Sequence, residues 1–442
     1  MTLGCQMNEH DSERMAGVLE ENGYCLASDE SLEQRKIDLY VINTCAVREH
    51  AASRLYGNLG HLADWKKRNP SMQIAVGGCL AQKDRGVIIE RAPWVDVVFG
   101  TNNIHMLPDL LLDAKVNGPK VSTLDKLTVF PSDVSAVRSS KFSAKVAISV
   151  GCNNLCTFCI VPHLRGKERD RNMSEISQEI EGLAADGVTE VMLLGQNVNT
   201  YGREFHDKYA FSALLEKVSD IKGIKRIRFM SPHPSGFTPD VAEVMAGRDN
   251  IMNSIHMPLQ SGSDSILKRM RRGYTASKFM HILDDLRAKM PDIAVTTDII
   301  IGFPAETDAD FRATCDVVRD ANFQSAFIFN YSPRPLTPAI DYPDQLPDDV
   351  KSARFKELFD LQEAITLELN KAQIGKTVEV LVTDEQGKKD AETGRISARD
   401  KQFRLIHIDN PVSSARERLM PGDYADVTVT KAAPHHLIGE RK

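Results

Sequence analysis

Short apolar runs alternate with amphipathic helical stretches over the first 115 residues. The runs cover residues 38–44, 73–78 and 95–100 and contain many β-branched side chains. Between the first two runs, residues 50–67 place apolar side chains at helical spacing. Buried strands that alternate with helices are typical of a parallel sheet. The pattern predicts an open parallel α/β domain over residues 1–115. Its first strand is expected to be short or truncated, because only three residues precede Gly4.

The alternation resumes at greater length between residues 138 and 368. Six βα units in sequence predict a partial (βα)6 barrel, whose functional site is expected at the carboxyl ends of the strands. Thr275 and Thr307 stand at the N-cap positions of two of the predicted helices. The predicted strands cover residues 145–150, 190–194, 226–230, 255–259, 294–301 and 325–331, and the predicted helices include residues 174–186, 276–290 and 308–321.

Two further regions flank the predicted barrel. Residues 116–137 show no clear period, contain Gly118, Pro119 and Pro131, and are predicted to form a linker. The tail, residues 371–440, changes to an alternation of period two, which predicts a small all-β, OB-like barrel. Its predicted strands cover residues 377–383, 395–396, 403–408 and 424–430, with turns at residues 385–387 and 421–423.

Composition and charge narrow the class of protein. The chain has 442 residues, of which 42% are hydrophobic and 26% charged, values that exclude a disordered, collagen-like or coiled-coil protein. Eight cysteines are too few for a disulfide scaffold of this length. The formal net charge is −6, from 55 basic and 61 acidic residues, so binding to nucleic acid would depend on local basic patches. The tail is one such region, with 13 basic and 11 acidic residues from residue 371 onwards.

The chain is predicted to be cytoplasmic and free of membrane spans. Its start has neither the basic segment nor the apolar run of a secretory signal. The longest stretch without Asp, Glu, Lys or Arg, residues 146–164, is interrupted by polar residues and Pro162. In a reducing cytosol, cysteines are more often metal ligands or catalytic groups than disulfides.

Cys152, Cys156 and Cys159 form a C-x3-C-x2-C motif directly after the predicted strand 145–150. Three thiolates on so short a loop can hold three irons of a cubane cluster and leave the fourth iron open to a small chelating ligand. Two alternatives stay open on spacing alone. Zinc sites usually have four ligands in paired C-x2-C spacing, and three ordinary buried cysteines need no metal.

With Phe158 before the last cysteine, the motif resembles that of the radical S-adenosylmethionine (SAM) superfamily. The resemblance implies that the amino and carboxylate groups of SAM chelate the open iron. It further implies that an electron from the cluster cleaves SAM to a 5′-deoxyadenosyl radical. The core of that superfamily is a partial (βα)6 barrel, as the strand pattern also predicts.

A second set of cysteines, Cys5, Cys45 and Cys79, is spread along the N-terminal domain. Each cysteine follows a predicted strand directly or closely. Because ligand sites in an open parallel sheet gather outside the carboxyl ends of its strands, these cysteines are expected to converge on one metal site. Buried cysteines at strand ends without a metal are the alternative.

Read with their neighbours, the same positions resemble the methylthiotransferases, a branch of the radical SAM superfamily. The tail resembles the TRAM module, an RNA-binding barrel. The resemblance covers essentially the whole chain and rests on GCQMN (residues 4–8), NTCAVRE (43–49), GGC (77–79), LGQNVN (194–199), MPLQSGS (257–263) and DIIIGFP (298–304).

This resemblance implies two [4Fe-4S] clusters and two molecules of SAM per turnover. The cluster on Cys152, Cys156 and Cys159 would generate the radical, and the cluster on Cys5, Cys45 and Cys79 would donate sulfur. One SAM would methylate that sulfur, and the other would yield the radical that takes hydrogen from C2 of a modified adenine. The implied partners are tRNA, SAM and an electron donor such as flavodoxin, and the chain is expected to be a monomer.

Within that family, residues 4–8 resemble one branch, and this resemblance implies conversion of N6-isopentenyladenosine beside the anticodon into 2-methylthio-N6-isopentenyladenosine. Two related alternatives keep both clusters and change the substrate, to threonylcarbamoyladenosine in tRNA or to an aspartate of a ribosomal protein. A third alternative is a non-catalytic RNA-binding protein with structural iron–sulfur or zinc sites.

Polar residues at other strand ends are candidate ligands for SAM or the substrate. Gln196, Gln260 and Ser261 end predicted strands, and Gly302 is expected to allow close approach of SAM to the backbone. The alternative roles are hydrogen bonds to loops for the first three and a simple turn for Gly302. Two basic sets are candidates for the SAM carboxylate or tRNA phosphates, with a solvated face as the alternative. They are Arg138, Lys141, Lys145, Arg165, Lys167, Arg169 and Arg171, and Lys268, Arg269, Arg271 and Arg272.

Overall fold

The N-terminal domain of this computed structural model is an open sheet of five parallel strands in the order β1-β2-β3-β4-β5. The structure describes residues 1–28, 30, 31, 36–46, 50–124, 129, 130, 134–385, 387, 390–409 and 418–442. The strands are β1 (Thr2–Leu3), β2 (Leu39–Thr44), β3 (Gln73–Gly78), β4 (Val97–Phe99) and β5 (Lys120–Ser122). The predicted open parallel sheet is confirmed, and β1 has only two residues.

The strand β5 extends the sheet into residues 116–137, where the sequence predicted a linker. Its three residues pair with β4 from Val97 to Phe99, and three residues are too few to show a period. Residues 47–49 of the NTCAVRE motif, Pro131 of the predicted linker and Gln386 of a predicted turn lie outside the described residues.

Helices cover both faces of this sheet. The helix His50–Arg68 buries Leu55, Leu59 and Leu62 against β2 and β3. On the other face, the helices Gln6–Glu21 and Leu107–Asn117 pack against β4. Each fully buried leucine contributes about 1.5–3 kcal/mol through burial of apolar surface. Two shorter helices, Cys79–Asp84 and Val87–Arg91, follow β3.

Six parallel strands form the predicted partial barrel. The strands β6 (Ser143–Ala147), β9 (Glu190–Leu194) and β10 (Arg226–Phe229) form one sheet, and β11 (Ser254–His256), β12 (Ala294–Ile301) and β13 (Ser325–Asn330) form another. A parallel bridge between Ile227 and Ile251 joins the two sheets. A short antiparallel pair, β7 (Ser149–Val150) and β8 (Arg169–Asp170), flanks the loop that carries the C-x3-C-x2-C motif.

The barrel helices bury a continuous apolar core with these strands. Thr307 caps its helix as predicted, through a capping box with Asp310, and Thr275 accepts a hydrogen bond of 3.1 Å from the backbone N–H of Lys278. Cys315 is buried in this core. The helices are Val161–Arg165, Met173–Ala185, Ala210–Ser219, Pro239–Gly247, Asp264–Arg269, Ala276–Lys289, Asp308–Ala321 and Asp348–Lys371.

Helices that combine the length and the apolarity of a membrane span do not occur in the part of the chain that the structure describes.

The tail is a closed five-stranded barrel in the order β14-β15-β16-β18-β17. It consists of β14 (Thr377–Val382), β15 (Arg395–Asp400), β16 (Leu405–Asp409), β17 (Tyr424–Ala432) and β18 (Leu437–Arg441), with a short helix, Asp390–Thr393. The sequence analysis missed β18, because Gly439 and the charged residues after it interrupt the alternation. A side chain at Gly439 would come within 2.4 Å of Val427 Cγ1, so the close approach of β17 requires glycine there.

This small barrel closes the amino end of the larger one. Arg226 in β10 donates a 2.8 Å hydrogen bond to the carbonyl oxygen of Arg399, and the guanidinium of Arg228 lies 3.2 Å from the ring centroid of Phe403. Arg404 donates to Gln324, which directly precedes β13. These contacts join the first residues of the barrel strands to the C-terminal module.

Candidate active site

The loop of the C-x3-C-x2-C motif is fixed by backbone hydrogen bonds and by Gln196. Gly151 adopts φ +86°, and a side chain there would lie 2.2 Å from the carbonyl oxygen of Lys167. Its backbone N–H donates to the side-chain oxygen of Gln196, which follows β9. Cys152 N–H donates to Gly166 at 3.2 Å. Gln196 therefore holds the start of the cysteine loop in place.

The three thiols of this loop lie within electrostatic range of one another. Cys156 is buried, and Cys152 and Cys159 are partly buried. Burial raises the pKa of Cys152 to about 11 and the pKa of Cys159 to about 12. Both thiols therefore stay protonated near neutral pH, although the Arg272 guanidinium lies nearby. The positive charge of bound iron would favour the thiolates that iron–sulfur clusters require.

Arg272 supplies a buried cation at this triad. Its Nη1 donates to Cys156 Sγ at 3.4 Å, its Nη2 donates to the carbonyl oxygen of Pro258 at 3.3 Å, and its Nε donates to Tyr274 Oη at 3.1 Å. The sequence analysis grouped Arg272 with residues for RNA or the SAM carboxylate, whereas the structure buries its side chain against the cysteine loop. Spacing of residues along the sequence could not predict this contact, because Arg272 and Cys156 are 116 positions apart.

The second triad lies at the carboxyl ends of three neighbouring strands. The register pairs Leu3 with Thr44 and Thr44 with Gly78, so that Cys5, Cys45 and Cys79 follow residues that are already side by side. Cys79 lies within electrostatic range of both other thiols, and burial raises its pKa to about 11. The predicted convergence of these strand ends is present in the structure.

Asn8 and Asn43 hold the ends of these strands together. Asn8 Nδ2 donates to Asn43 Oδ1 at 3.1 Å, and Asn43 Nδ2 donates to the carbonyl oxygen of Asn8 at 2.7 Å. Asn8 Oδ1 also accepts a hydrogen bond of 3.3 Å from the backbone N–H of Cys5. Gly78 adopts φ +92°, and a side chain there would lie 2.2 Å from Asn43 Oδ1. Both asparagines are buried, so water does not compete for these hydrogen bonds.

A short stretch of chain after Cys159 connects the two triads by side-chain packing. Ile160 follows Cys159 directly, and Ile160 and Leu164 pack against Cys79. Leu164 also accepts a 2.9 Å hydrogen bond from Thr101 Oγ1 of the N-terminal domain. The chain that follows the C-x3-C-x2-C loop therefore packs directly against the second triad.

A cavity of about 670 Å³ extends from the cysteine end of the barrel to the C-terminal module. All three domains line it, which is typical of ligand sites at domain junctions. Lining residues include Cys5, Phe158, Gln260, Phe327, Phe329, Arg399 and Phe403.

Only one of the predicted polar contacts outside the cysteines lines this cavity. Gln260 adopts φ +70°, is 7% exposed, and its Oε1 has no hydrogen-bond partner among the described residues. Ser261 is buried and accepts a 3.2 Å hydrogen bond from the backbone N–H of Ser263. Gly302 has φ +70°, and a side chain there would lie 2.3 Å from Lys351 Cγ. Contact of Ser261 or Gly302 with SAM stays a prediction.

The donor set fits iron–sulfur clusters. Within the described residues, no three His, Cys, Asp or Glu side chains are gathered tightly enough to hold a single metal ion. The corners of a cubane lie farther apart than the ligands of one ion, and thiolates are its usual ligands. Each triad offers three thiols on neighbouring backbone segments, and three ligands leave one corner of a cubane open.

Three known families match separate stretches of the chain. The radical SAM superfamily matches residues 146–318, the uncharacterized protein family UPF0004 matches residues 1–100, and the TRAM domain matches residues 371–441. Among solved structures, the radical S-adenosylmethionine methyltransferase TsrM from Kitasatospora setae, with cobalamin and a [4Fe-4S] cluster bound, is similar. The TM-score is 0.55 at 14% sequence identity, over 75% of this chain and 71% of that one. This likeness concerns the fold.

Two relatives are similar along nearly the whole chain. The tRNA-2-methylthio-N(6)-dimethylallyladenosine synthase of Saccharopolyspora erythraea is 54% identical over 99% of this chain and 89% of its own length. The protein of the same name from Acidothermus cellulolyticus is 56% identical over 100% of this chain and 87% of its own length.

Proposed function

Because this chain belongs to the tRNA-2-methylthio-N(6)-dimethylallyladenosine synthases, a radical SAM family, we propose that its two cysteine triads hold two [4Fe-4S] clusters serving one reaction. The relatives confirm the family that the sequence motifs resemble, and the chain is a radical SAM methylthiotransferase that acts on tRNA. Its substrate is N6-isopentenyladenosine beside the anticodon, and its product is 2-methylthio-N6-isopentenyladenosine.

The reaction replaces the hydrogen on C2 of an adenine ring by a methylthio group. Side-chain acids and bases cannot break an aromatic C–H bond, so the chemistry must come from a cofactor. When bound at the two triads, the clusters and two molecules of SAM would supply the radical, the sulfur and the methyl group. The protein holds these groups close together and excludes competing reactions.

We assign Cys152, Cys156 and Cys159 to the radical cluster and Cys5, Cys45 and Cys79 to the sulfur-donor cluster. Arg272 would stabilise negative charge on the first cluster through its hydrogen bond to Cys156. Gln260 is assigned to contact with SAM or the base, because the residue lines the cavity and its Oε1 has no hydrogen-bond partner among the described residues. Gln196 is assigned to support of the cysteine loop through its hydrogen bond to Gly151, and Ser261 and Gly302 are proposed to contact SAM or the substrate.

The observation that carries this proposal is the position of the cavity. It begins at Cys5 and Phe158, one from each cysteine region, and ends at the C-terminal module. A base that enters it would meet both cysteine regions without moving between sites. Cofactors that act in sequence on one carbon require such an arrangement.

The roles of the three domains, the cellular location and the electron donor are proposed from the same family resemblance. We propose that residues 1–115 carry the sulfur-donor cluster, residues 138–368 the radical chemistry and residues 371–440 the contact with tRNA. We also propose that the enzyme is a cytoplasmic monomer that receives electrons from a flavodoxin-type donor. The relatives favour N6-isopentenyladenosine over the two alternative substrates, threonylcarbamoyladenosine and a ribosomal-protein aspartate.

The test is mass spectrometry of tRNA nucleosides from a strain that lacks the gene. Loss of 2-methylthio-isopentenyladenosine and accumulation of isopentenyladenosine, both reversed by the wild-type gene, would support the proposal. The Cys156→Ala and Cys45→Ala genes should fail to complement, whereas the gene for Cys25→Ala, an exposed cysteine outside both triads, should complement fully. An unchanged pair of nucleosides in the deletion strain would overturn the substrate assignment.

In vitro, the two failing variants should differ in SAM cleavage. Cys156→Ala should release no 5′-deoxyadenosine, because the radical site is lost. Cys45→Ala should still release it and yet form no methylthio product. Methylthio product from Cys45→Ala would contradict the sulfur-donor role of the second triad.

A further inference from the structure

Two phenylalanines on β13 face the open interior of the barrel. Side chains alternate along this strand, with Ala326 and Ile328 packed on the hydrophobic core and Phe327 and Phe329 directed into the cavity. Phe327 is 56% exposed and Phe329 48% exposed. In a filled barrel the inward side chains pack against one another. Half-exposed aromatic rings in a concave site therefore indicate an apolar surface that a ligand covers.

The neighbouring strand places polar groups beside these rings. The register pairs Asp298 with Phe327 and Ile300 with Phe329. His256 lies 3.3 Å from Asp298 and 2.9 Å from Thr296, so hydrogen-bonding groups line one side of the cavity. The apolar surface continues toward the cysteine end through Ile300 and Phe158. The cavity therefore suits a ligand with a polar ring and an apolar substituent.

We propose that Phe327 and Phe329 form the subsite for the five-carbon N6 substituent of the substrate adenine and so select prenylated over unprenylated tRNA. This inference rests on the proposed function, which supplies the identity of the base. The reacting C2 must face the cysteine end, and the N6 substituent leaves the ring at a different edge. The strand β13 forms one wall of the cavity, and its two rings are the large exposed apolar side chains on the inner face of this strand.

The test is binding of two anticodon stem-loops of the same sequence, one with isopentenyladenosine and one with adenosine. Reconstituted enzyme with SAM and without reductant is titrated with each fluorescent RNA, and the ratio of the two Kd values measures selection. For wild type the prenylated RNA should bind about tenfold tighter or more, since even one or two methylene groups can give this discrimination. Phe327→Ala and Phe329→Ala should bring the ratio toward one by weakening only the prenylated RNA. Leucine at either position should restore part of it.

Phe359→Ala is the matched control. Phe359 is 41% exposed and stacks on Phe355 in the helix Asp348–Lys371, and it is not among the residues that line the cavity. Its variant should keep the wild-type ratio. Cleavage of SAM without RNA should be unchanged in Phe359→Ala, which shows that this control variant leaves the radical site intact.

Several results would overturn the subsite. They are a wild-type ratio near one, an unchanged ratio in both alanine variants, and equal weakening of both RNAs, which would indicate stacking on the base itself. The proposed function is tested separately, by methylthio product formed from the prenylated RNA when wild-type enzyme receives reductant. Product without selection rejects the subsite alone, and selection without product rejects the proposed reaction alone.

Discussion

Arg165 donates a 2.6 Å hydrogen bond to Asp11 Oδ2, and the two side chains are only 4% and 1% exposed. Arg165 ends the helix that follows the C-x3-C-x2-C loop, and Asp11 lies in the first helix of the N-terminal domain. The guanidinium is also within electrostatic range of Cys79 and Cys5. This buried pair therefore fixes one cysteine region against the other.

Removal of one member of the pair should destabilise the protein strongly. Asp11→Asn leaves the Arg165 charge buried without a counter-charge, which typically costs about 3–5 kcal/mol. We expect a melting temperature lower by several degrees in calorimetry of the reconstituted protein. The double variant Asp11→Leu/Arg165→Leu should lose less stability than the sum of the losses in Asp11→Leu and Arg165→Leu.

The control for this prediction is the exposed pair of Lys67 and Asp64. Asp64→Asn should melt like wild type, since exposed ion pairs contribute little. A wild-type melting temperature for Asp11→Asn would contradict the structural role of the buried pair.

Arg272 should set the reduction potential of the radical cluster. A cation that donates to Cys156 Sγ stabilises the more negative, reduced cluster, so Arg272→Met should lower the potential. A shift of roughly 60 mV corresponds to about 1.4 kcal/mol for one electron. A redox titration followed by electron paramagnetic resonance measures it. The neighbouring, exposed Arg271 provides the control, and an equal shift in Arg271→Met would show that the effect is not local.

Iron content should separate the two triads. Wild-type enzyme reconstituted without oxygen should hold about eight irons per chain, as expected for two cubanes. Cys156→Ala and Cys45→Ala should each hold about four, and the double variant close to none. Cys25→Ala should keep the full content. A wild-type protein with zinc and without iron would contradict the radical chemistry.

His233 should make the protein less stable in acid. Burial, together with repulsion from Arg272, lowers the pKa of His233 to about 2. Because the folded pKa lies below the unfolded value near 6.5, this stabilising contribution is complete above pH 6.5 and is lost as the pH falls below it. Down to the folded pKa, the loss approaches about 1.4 kcal/mol per pH unit.

Melting temperatures between pH 8 and pH 5 measure this effect. In His233→Gln the melting temperature should fall less steeply toward pH 5, because the variant lacks the one proton that His233 takes up on unfolding. Replacement of the exposed His281 should leave the pH dependence of the wild-type protein. Parallel curves for wild type and His233→Gln would reject the assignment.

Local patterns predicted the strands and helices that carry both triads. The alternation of apolar residues placed β3 and the helix Asp308–Ala321 at the bounds that the structure has. The positions of Cys5, Cys45 and Cys79 could be predicted from these strands, because neighbouring parallel strands end at one edge of the sheet. Two short strands were not predicted, because β5 has only three residues and the alternation in β18 is interrupted by Gly439.

The contacts between distant residues could not be predicted in this way. Arg272 and Cys156 are 116 positions apart, and Arg165 and Asp11 are 154 apart. In the sequence both arginines belong to basic sets that resemble a solvated or RNA-binding face. Their burial depends on how three domains pack, which local periodicity does not record.

The packing of Phe403 between Arg228 and Arg399 has a consequence for how the chain can be divided. The module that resembles an RNA-binding barrel is at the same time the floor of the reaction chamber. An enzyme cut before residue 371 would lose more than affinity for tRNA, because its chamber would open to water at the amino end of the barrel. Radicals formed there would be exposed to external reductants, which can donate an electron or a hydrogen atom to them. The contact with tRNA that we propose for this module and the enclosure of the chamber therefore depend on one wall, and a substitution in it can alter both.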